Sequence, residues 1–158
     1  MITLRPITKD NFDVVIDLDV HPKQHHFVAP NTYSLAEAYL HIVNHYTIPM
    51  PFAINADETV VGFLMLSYDE KDPDDPEDET VYWIWRFMID KAHQGKGYGK
   101  AAMEKTLAYI RTFPKGPATA IVLSYEPENT VVQKLYARLG FIETGEVDEG
   151  ELVAKLKL

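Results

Sequence analysis

The sequence of 158 residues contains no cysteine. A disulfide framework, a thiolate nucleophile and a cysteine-based metal site are therefore excluded. No stretch reaches the ~18 apolar residues of a membrane-spanning helix, and the opening sequence MITLRPITKD turns polar at once. We expect a single domain over residues 1–158, a cytoplasmic location and no membrane partner.

Basic residues are also scarce, with 15 Lys and Arg against 24 Asp and Glu. The deficit is local, because residues 69–79 (DEKDPDDPEDE) hold eight acids and one lysine, a net charge of −7 out of −9. Phosphate backbones are bound by clustered Lys and Arg, so nucleic acid is disfavoured as a partner. The two prolines and eight acids predict a solvated loop, which would also suit a polycation.

Hydrophobic periodicity and turn residues predict one α/β (α+β) domain with a mixed sheet and helices on both faces. Gly62 within the third strand predicts a bulge or a close backbone approach. Pro49 and Pro51 are expected to end the second helix, which begins with a capping box at 34–37. The predicted strands cover 2–8, 51–55, 60–68, 81–89, 118–125, 141–147 and 151–158, and the helices cover 10–20, 34–46, 98–112 and 127–139.

The segment VYWIWRFMIDKAHQGKGYGKA (81–101) combines an apolar strand, three glycines at alternate positions and a helical pattern. Backbone N–H groups at such a helix start can bind an anion. A nucleotide-binding P-loop is disfavoured, because Ala101 follows Gly99-Lys100 where a Ser or Thr would bind Mg²⁺. A dinucleotide fingerprint needs GxGxxG at a first strand–helix turn, whereas this loop is GxGxG and lies far into the chain.

The spacing Gln94-x-x-Gly97-x-Gly99, followed by Asn129-x6-Tyr136-x3-Gly140-Phe141, resembles the GNAT family of acetyl-CoA-dependent N-acetyltransferases over essentially the whole chain. The resemblance implies a mostly antiparallel sheet of about seven strands, flanked by about four helices and splayed between strands 4 and 5. It also implies that acetyl-CoA is the co-substrate, with no metal. By position, the residues implied to bind it are Phe87, Met88, Ile89, Gln94, Gly95, Lys96, Gly97, Tyr98, Gly99, Lys100 and Asn129.

The same resemblance implies that Tyr136 protonates the departing thiolate, since a phenol with a pKa near ~10 keeps its proton at pH 7. Periodicity with Val132 and Leu135 alternatively makes Tyr136 a core residue. The catalytic carboxylate of some polyamine acetyltransferases falls on Trp85 here. Glu126 is the nearest replacement as the base, and it could equally be a solvated loop acid.

Among GNAT enzymes, the bacterial spermine/spermidine acetyltransferases are the most similar in the residues Trp83, Arg86-Phe87, Ile89-Asp90, Gln94–Gly97 and Gly145-Glu146. This predicts a polyamine acceptor, with Asp17 and Asp19 supplying charge and Trp85 a flat contact. Trp85 could instead pack in the core. Two other hypotheses remain: transfer to another small amine or a peptide N-terminus, and a coenzyme A-binding module without catalysis.

Two further expectations concern histidines and assembly. His41 and His45, four residues apart, could hold a metal with His25-His26 nearby, but the HExxH pattern is absent. A helix surface or the lining of the acceptor site is therefore the favoured role for these histidines. Family relatives are often dimers, which makes a homodimer possible.

Overall fold

The computed structural model describes all 158 residues, which form seven strands and four α-helices. The strands are β1 (Ile2–Pro6), β2 (Ile48–Ala56), β3 (Thr59–Asp69), β4 (Val81–Ile89), β5 (Ala120–Tyr125), β6 (Ile142–Asp148) and β7 (Glu151–Lys157). The helices are α1 (Phe12–Asp17), α2 (Asn31–Asn44), α3 (Tyr98–Ile110) and α4 (Thr130–Arg138), with a 3-10 turn at Pro22–Gln24. None of these helices combines the length and apolar character that a bilayer crossing requires.

All seven strands join one sheet in the order β1-β2-β3-β4-β5-β7-β6. Every neighbouring pair is antiparallel except β4 and β5, which are parallel and connected through α3. The predicted α/β class, the mixed sheet and the strand count are confirmed. Strand β5 is buried along almost its whole length, as its continuous apolar sequence predicts.

Helices cover both faces of the sheet because side chains of successive strand residues point to opposite faces. On one face, α3 and α4 contribute Met103, Leu107 and Tyr136 to a core shared with Tyr82 and Ile84 of β4. On the other face, α1 and α2 pack on a smaller cluster. Its buried members are Val15, Val20, Ala38, Ala53, Phe63, Met65 and Met88.

Two details of the prediction for α2 are wrong. The helix begins at Asn31, so Ser34 lies within its first turn and donates its backbone N–H to the carbonyl of Pro30. Asn31 is buried and binds the carbonyl of Val15, which fixes this earlier start through a tertiary contact. Pro49 and Pro51 lie inside β2, in the part that extends beyond its partner β1, where a strand tolerates proline.

Gly62 combines the two features expected from its place in a strand. The register of β2 and β3 shifts beside it, since Ile54 faces Gly62 and Asn55 faces Val60. A Cβ atom at Gly62 would lie 2.4 Å from the carbonyl oxygen of Met88 on β4. The missing side chain therefore allows β4 to approach β3 at the end of β4 that leads into the glycine loop.

We expect Gly62→Ala to lower the free energy of unfolding by about 1–3 kcal/mol, because the clash is with backbone that must move. Chemical denaturation measures the change. Gly99→Ala is the control, since its Cβ would meet nothing closer than 3.9 Å, and its stability should equal or exceed that of the wild type. Equal midpoints for Gly62→Ala and the wild type would contradict the close approach.

Candidate active site

A cleft of about 1290 Å³ opens where β4 and β5 separate. The two strands pair only over Val81–Trp83 and Ala120–Val122, and they diverge beyond these residues. From residue 84 onward, β4 is paired with β3 on one edge and has no strand on the other. Backbone N–H and C=O groups on that open edge are available to a ligand, and Phe87, Met88 and Ile89 line the cleft there.

A β-bulge at Trp85 shapes the wall of the cleft. Arg86 pairs with Met65 of β3 and Ile84 pairs with Leu66, so Trp85 has no residue opposite. A bulge bends a strand and redirects its side chains. Trp85, which stands where a carboxylate was expected, is therefore the extra residue of this bulge.

Helix α2 contacts both residues at this bulge. Glu37 accepts a hydrogen bond of 2.6 Å from Arg86, and the side chains of this ion pair are only 23% and 18% exposed. The guanidinium of Arg86 also lies 5.4 Å from the centre of the Trp85 ring. His41 packs its ring edgewise on Trp85 at 4.6 Å and is bonded to Thr47. These contacts hold Trp85 against α2 while it lines the cleft.

The glycine loop presents uncovered backbone at the start of α3. Gly97 is the N-cap residue, with φ of +80°, and Gly95 has φ of +78°. A Cβ atom at either position would meet nothing within 4 Å, so side chains there would project into open space. No side chain caps the first N–H groups of α3. This arrangement fits a pyrophosphate, which needs converging N–H donors and gains from the helix dipole.

Gln94 holds this loop in place. Its amide donates to the carbonyl of Ile89 at 3.0 Å and also exchanges hydrogen bonds with Gln24, which follows α1 in the chain. Lys96 is exposed, and Lys100 is exposed with Glu104 at 3.8 Å. Neither lysine lines the cleft, whereas Gln94, Gly95, Gly97, Tyr98 and Gly99 do.

The opposite wall brings Glu126, Asn129 and Tyr136 together on the cleft. Asn129 is the N-cap residue of α4, but its side chain makes no capping hydrogen bond. It is thus free to contact a ligand, in addition to starting the helix. Glu126 follows β5 and is half-buried. The sequence placed these three residues at separate points, and the fold places them beside one opening.

Tyr136 lies between the core and the cleft. Its side chain packs with Tyr125 and Phe141 in the main core, yet it also lines the opening. Burial raises the pKa of Tyr136 well above its usual value, and the charge of Glu151 adds to this effect. The phenol therefore keeps its proton throughout the ordinary pH range and presents a neutral hydroxyl group to the cleft.

The cleft is rich in carboxylates, of which the sequence pointed only to Glu126 and to the acidic segment that contains Asp69. Glu151 at the start of β7 accepts a hydrogen bond of 2.6 Å from Ser124 of β5. Seven acids line the cleft against two Lys or Arg residues, Lys23 and Arg86. The seven acids are Glu37, Asp69, Glu126, Glu128, Asp148, Glu149 and Glu151. Only topology reveals this set, because five of the acids come from two segments, one that follows β5 and one at the turn between β6 and β7.

Asp17 and Asp19 lie outside the cleft. Asp17 is exposed at the end of α1. Asp19 is bonded to His25 at 3.0 Å and lies 3.5 Å from Lys91, and its backbone N–H binds Asp90. These contacts attach the end of α1 to the residues that follow β4. The predicted role of both acids in acceptor binding gains no support from their position.

The acidic segment 69–79 divides into strand ends and a loop. Asp69 is the last residue of β3 and lines the cleft. Residues 70–78 are exposed, as expected for a solvated loop. Glu79 is bound by Lys155 of β7 and by Thr119. Of the eight acids in this segment, only Asp69 therefore lines the cleft.

The histidines occupy three different environments. His41 lines the cleft, whereas His45 is exposed and terminates α2 with φ of +56°. His25 binds Asp19 and also lines the cleft. No group of three or more His, Asp or Glu side chains is arranged to bind a metal ion.

The profile of the Acetyltransferase (GNAT) family matches residues 9–141. A protein described as a probable spermine N(1)-acetyltransferase, from Bacillus subtilis subsp. natto (strain BEST195), is 32% identical over 153 residues, which are 96% of this chain and 95% of the relative.

Solved structures share the fold at lower identity. Spermidine N-acetyltransferase from Vibrio cholerae, in complex with CoA and spermine, aligns with a TM-score of 0.68 and 19% identity over 99% of this chain and 94% of its own. Aminoglycoside acetyltransferase AAC(6')-Ib in complex with coenzyme A reaches a TM-score of 0.74 at 17% identity, over 99% and 95% of the two chains. Because their named acceptors differ, similarity of fold alone does not identify the acceptor.

We expect Gly97→Ala to weaken coenzyme A binding at least about 10-fold, because a Cβ atom would obstruct the approach to the N–H groups of the loop. Isothermal titration calorimetry with coenzyme A measures this. Gly145→Ala on β6 is the matched control, since Gly145 also has positive φ (+89°) and open space around it. Both variants should lose similar stability, so equal affinity for coenzyme A in both would contradict the assignment of the loop.

Proposed function

Because this chain belongs to the GNAT family and is an acetyl-CoA-dependent N-acetyltransferase, we propose that it acetylates a primary amine of a polyamine such as spermidine or spermine. The observation that carries the choice of acceptor is the charge of the cleft. Seven acids against two Lys or Arg residues favour a substrate with several positive charges. The relative named for spermine acetylation, 32% identical over almost the full chain, supports the same choice.

Two features of the chain suit the pyrophosphate and the pantetheine of acetyl-CoA. The N–H groups around Gly97 suit the pyrophosphate, and the open edge of β4 suits the pantetheine amides. Asn129 and Tyr136 lie on the facing wall. Bound acetyl-CoA supplies the acetyl thioester. The residues of this chain then orient the amine, accept its proton and donate a proton to sulfur.

In the proposed reaction, the neutral amine nitrogen forms a bond to the acetyl carbonyl carbon and the carbon–sulfur bond breaks. A backbone N–H on the open edge of β4 stabilises the negative charge on the carbonyl oxygen. Burial raises the pKa of Tyr136, so the phenol enters the reaction in its protonated form. It donates this proton to the sulfur as the carbon–sulfur bond breaks, and the phenolate then regains a proton from solvent. Glu126 accepts the proton that the amine loses, directly or through water.

A second candidate is transfer to another small amine or to a peptide N-terminus. The absence of a carboxylate at position 85 favours this alternative, since the expected base is replaced by an indole. A coenzyme A-binding module without catalysis is the third candidate. The position of Tyr136 on the cleft argues against that module, because core packing alone does not require it to face the opening.

Steady-state acetylation of spermidine, spermine, diamines, a monoamine, an aminoglycoside and short peptides tests the acceptor class. The proposal expects the highest kcat/KM for polyamines and a lower value for the monoamine. Turnover of other amines without polyamine turnover would refute the polyamine assignment and retain the enzyme. Tight acetyl-CoA binding without any transfer would instead indicate the non-catalytic module.

We expect Tyr136→Phe to reduce kcat by roughly 10²-fold or more, because proton donation to the thiolate is lost. The KM for acetyl-CoA should change little, and the folded state should keep its stability because the ring is retained. Tyr109→Phe on α3 is the matched control, since Tyr109 is partly buried but does not line the cleft. Because a raised pKa keeps Tyr136 neutral at every pH below that pKa, wild-type kcat should show no loss from this group up to about pH 10. If kcat were unchanged in Tyr136→Phe, Tyr136 would have a packing role in the core and no role in proton donation.

A further inference from the structure

Ser67 and Asp69, near the end of β3, face the same side of the sheet as Trp83. Ser67 lies opposite Trp83 in the antiparallel pairing, and Asp69 lies opposite Val81. Trp83 and Val81 belong to a cluster separate from the core that includes α3. Since alternate residues share a face, the four side chains form one surface on the side of α1 and α2.

The carboxylate of Asp69 is held in a fixed position without a cation. Ser67 donates a hydrogen bond from its hydroxyl group to Oδ1 of Asp69. Burial raises the pKa of Asp69, and no lysine or arginine is among the groups that act on it. A partly buried carboxylate of this kind is stabilised when a cation binds beside it. His41 partly offsets this rise in the pKa of Asp69, and its ring is bonded to Thr47.

The neighbouring acids of the same region are already paired or lie outside the cleft. Glu37 is bound to Arg86 at 2.6 Å, and Glu79 is bound by Lys155. The remaining acids of the 69–79 segment are exposed in the loop and do not line the cleft. Asp69 is thus the one carboxylate of that segment that lines the cleft, and it has no lysine or arginine partner.

We propose that Asp69, oriented by Ser67 and bordered by Trp83, binds a second, protonated nitrogen of the acceptor and thereby selects polyamines over monoamines. An alkyl ammonium keeps its charge at neutral pH, and it is attracted both to a carboxylate and to the face of an indole ring. The reacting nitrogen must be neutral, so the two nitrogens need different environments. This inference rests on the proposed acetylation of polyamines.

The position of Asp69 agrees with separate sites for the reacting nitrogen and the protonated nitrogen. Strands β4 and β5 separate after Trp83, whereas Asp69 lies at the level of Val81. Ile84, where the open edge begins, is three residue steps beyond Val81 along β4, and this corresponds to roughly 10 Å. A nitrogen bound at Asp69 is therefore set back from the open edge. An acceptor with two nitrogens on a flexible chain can reach both places, and a monoamine cannot.

The test compares Asp69→Asn with Asp74→Asn, which removes the same charge from the exposed loop. For Asp69→Asn, we expect the KM for spermidine to rise about 10-fold to 100-fold, with kcat and the KM for acetyl-CoA near their wild-type values. The kcat/KM for butylamine should stay within about twofold. Ser67→Ala should raise the KM for spermidine by a smaller factor. The KM for spermidine is measured at 0.15 M and 0.5 M salt. High salt should screen the long-range effect of the exposed loop acids more than a direct contact with Asp69.

Several outcomes would decide against the inference. Equal effects of Asp69→Asn and Asp74→Asn would reduce Asp69 to general surface charge. If Asp69→Asn lowered kcat/KM for butylamine as much as for spermidine, or lowered only kcat, the substitution would have disturbed the reaction centre. If butylamine is not a substrate, the separate values of KM and kcat for spermidine decide between a subsite and such a disturbance. Efficient acetylation of other amines with no turnover of spermidine by the wild type would refute the proposed function itself, whereas normal spermidine turnover by Asp69→Asn refutes only the subsite. Thermal unfolding monitors folding of each variant.

Discussion

The divergence of β4 and β5 is the constraint on which the rest of the structure depends. Two parallel strands that remained paired would satisfy each other's backbone groups and leave no space between them. Pairing instead stops after Trp83, and the strand edge beyond it keeps unpaired N–H and C=O groups. Because the strands are parallel, α3 and α4 both begin near this edge of the sheet. The glycine loop and the wall that carries Tyr136 are therefore brought together by one topological feature.

The cleft combines two features of opposite electrostatic character. At the start of α3, uncovered N–H groups and the helix dipole favour an anion. Acids from four parts of the chain line the same cleft and favour cations. The fold therefore offers sites for ligand groups of both signs within one opening.

Much of this arrangement could be predicted from sequence, and the reasons are local. Gly97 and Gly99 follow an apolar strand and precede a helix, so the loop is defined by consecutive residues. Tyr136 and Gly140 keep a fixed spacing on one helix. The earlier start of α2 was not predictable in this way, because Asn31 is fixed by a contact with Val15, sixteen residues away.

Other features depend on pairing between strands that no single segment reveals. The bulge at Trp85 follows from the register of β3 and β4, and it places this residue against His41 of α2. The acidic run looks uniform as a sequence. Its first member nevertheless ends a strand beside the cleft, while the following residues are exposed. Composition predicts the charge of such a segment, and only the sheet determines which carboxylate can reach a substrate.

The insertion of β7 between β5 and β6 has a consequence for folding. Strand β5 pairs with β4 over three residues but with β7 over six, from Ala120 to Tyr125. Strand β5, which forms one wall of the cleft, is thus held mainly by a strand that follows α4 and β6 in the chain. Closing that long loop is entropically costly and slow, so β5 is expected to be secured late, after the local β2–β3 hairpin. A chain that lacked β7 would keep its glycine loop and yet lack a stable wall to face it.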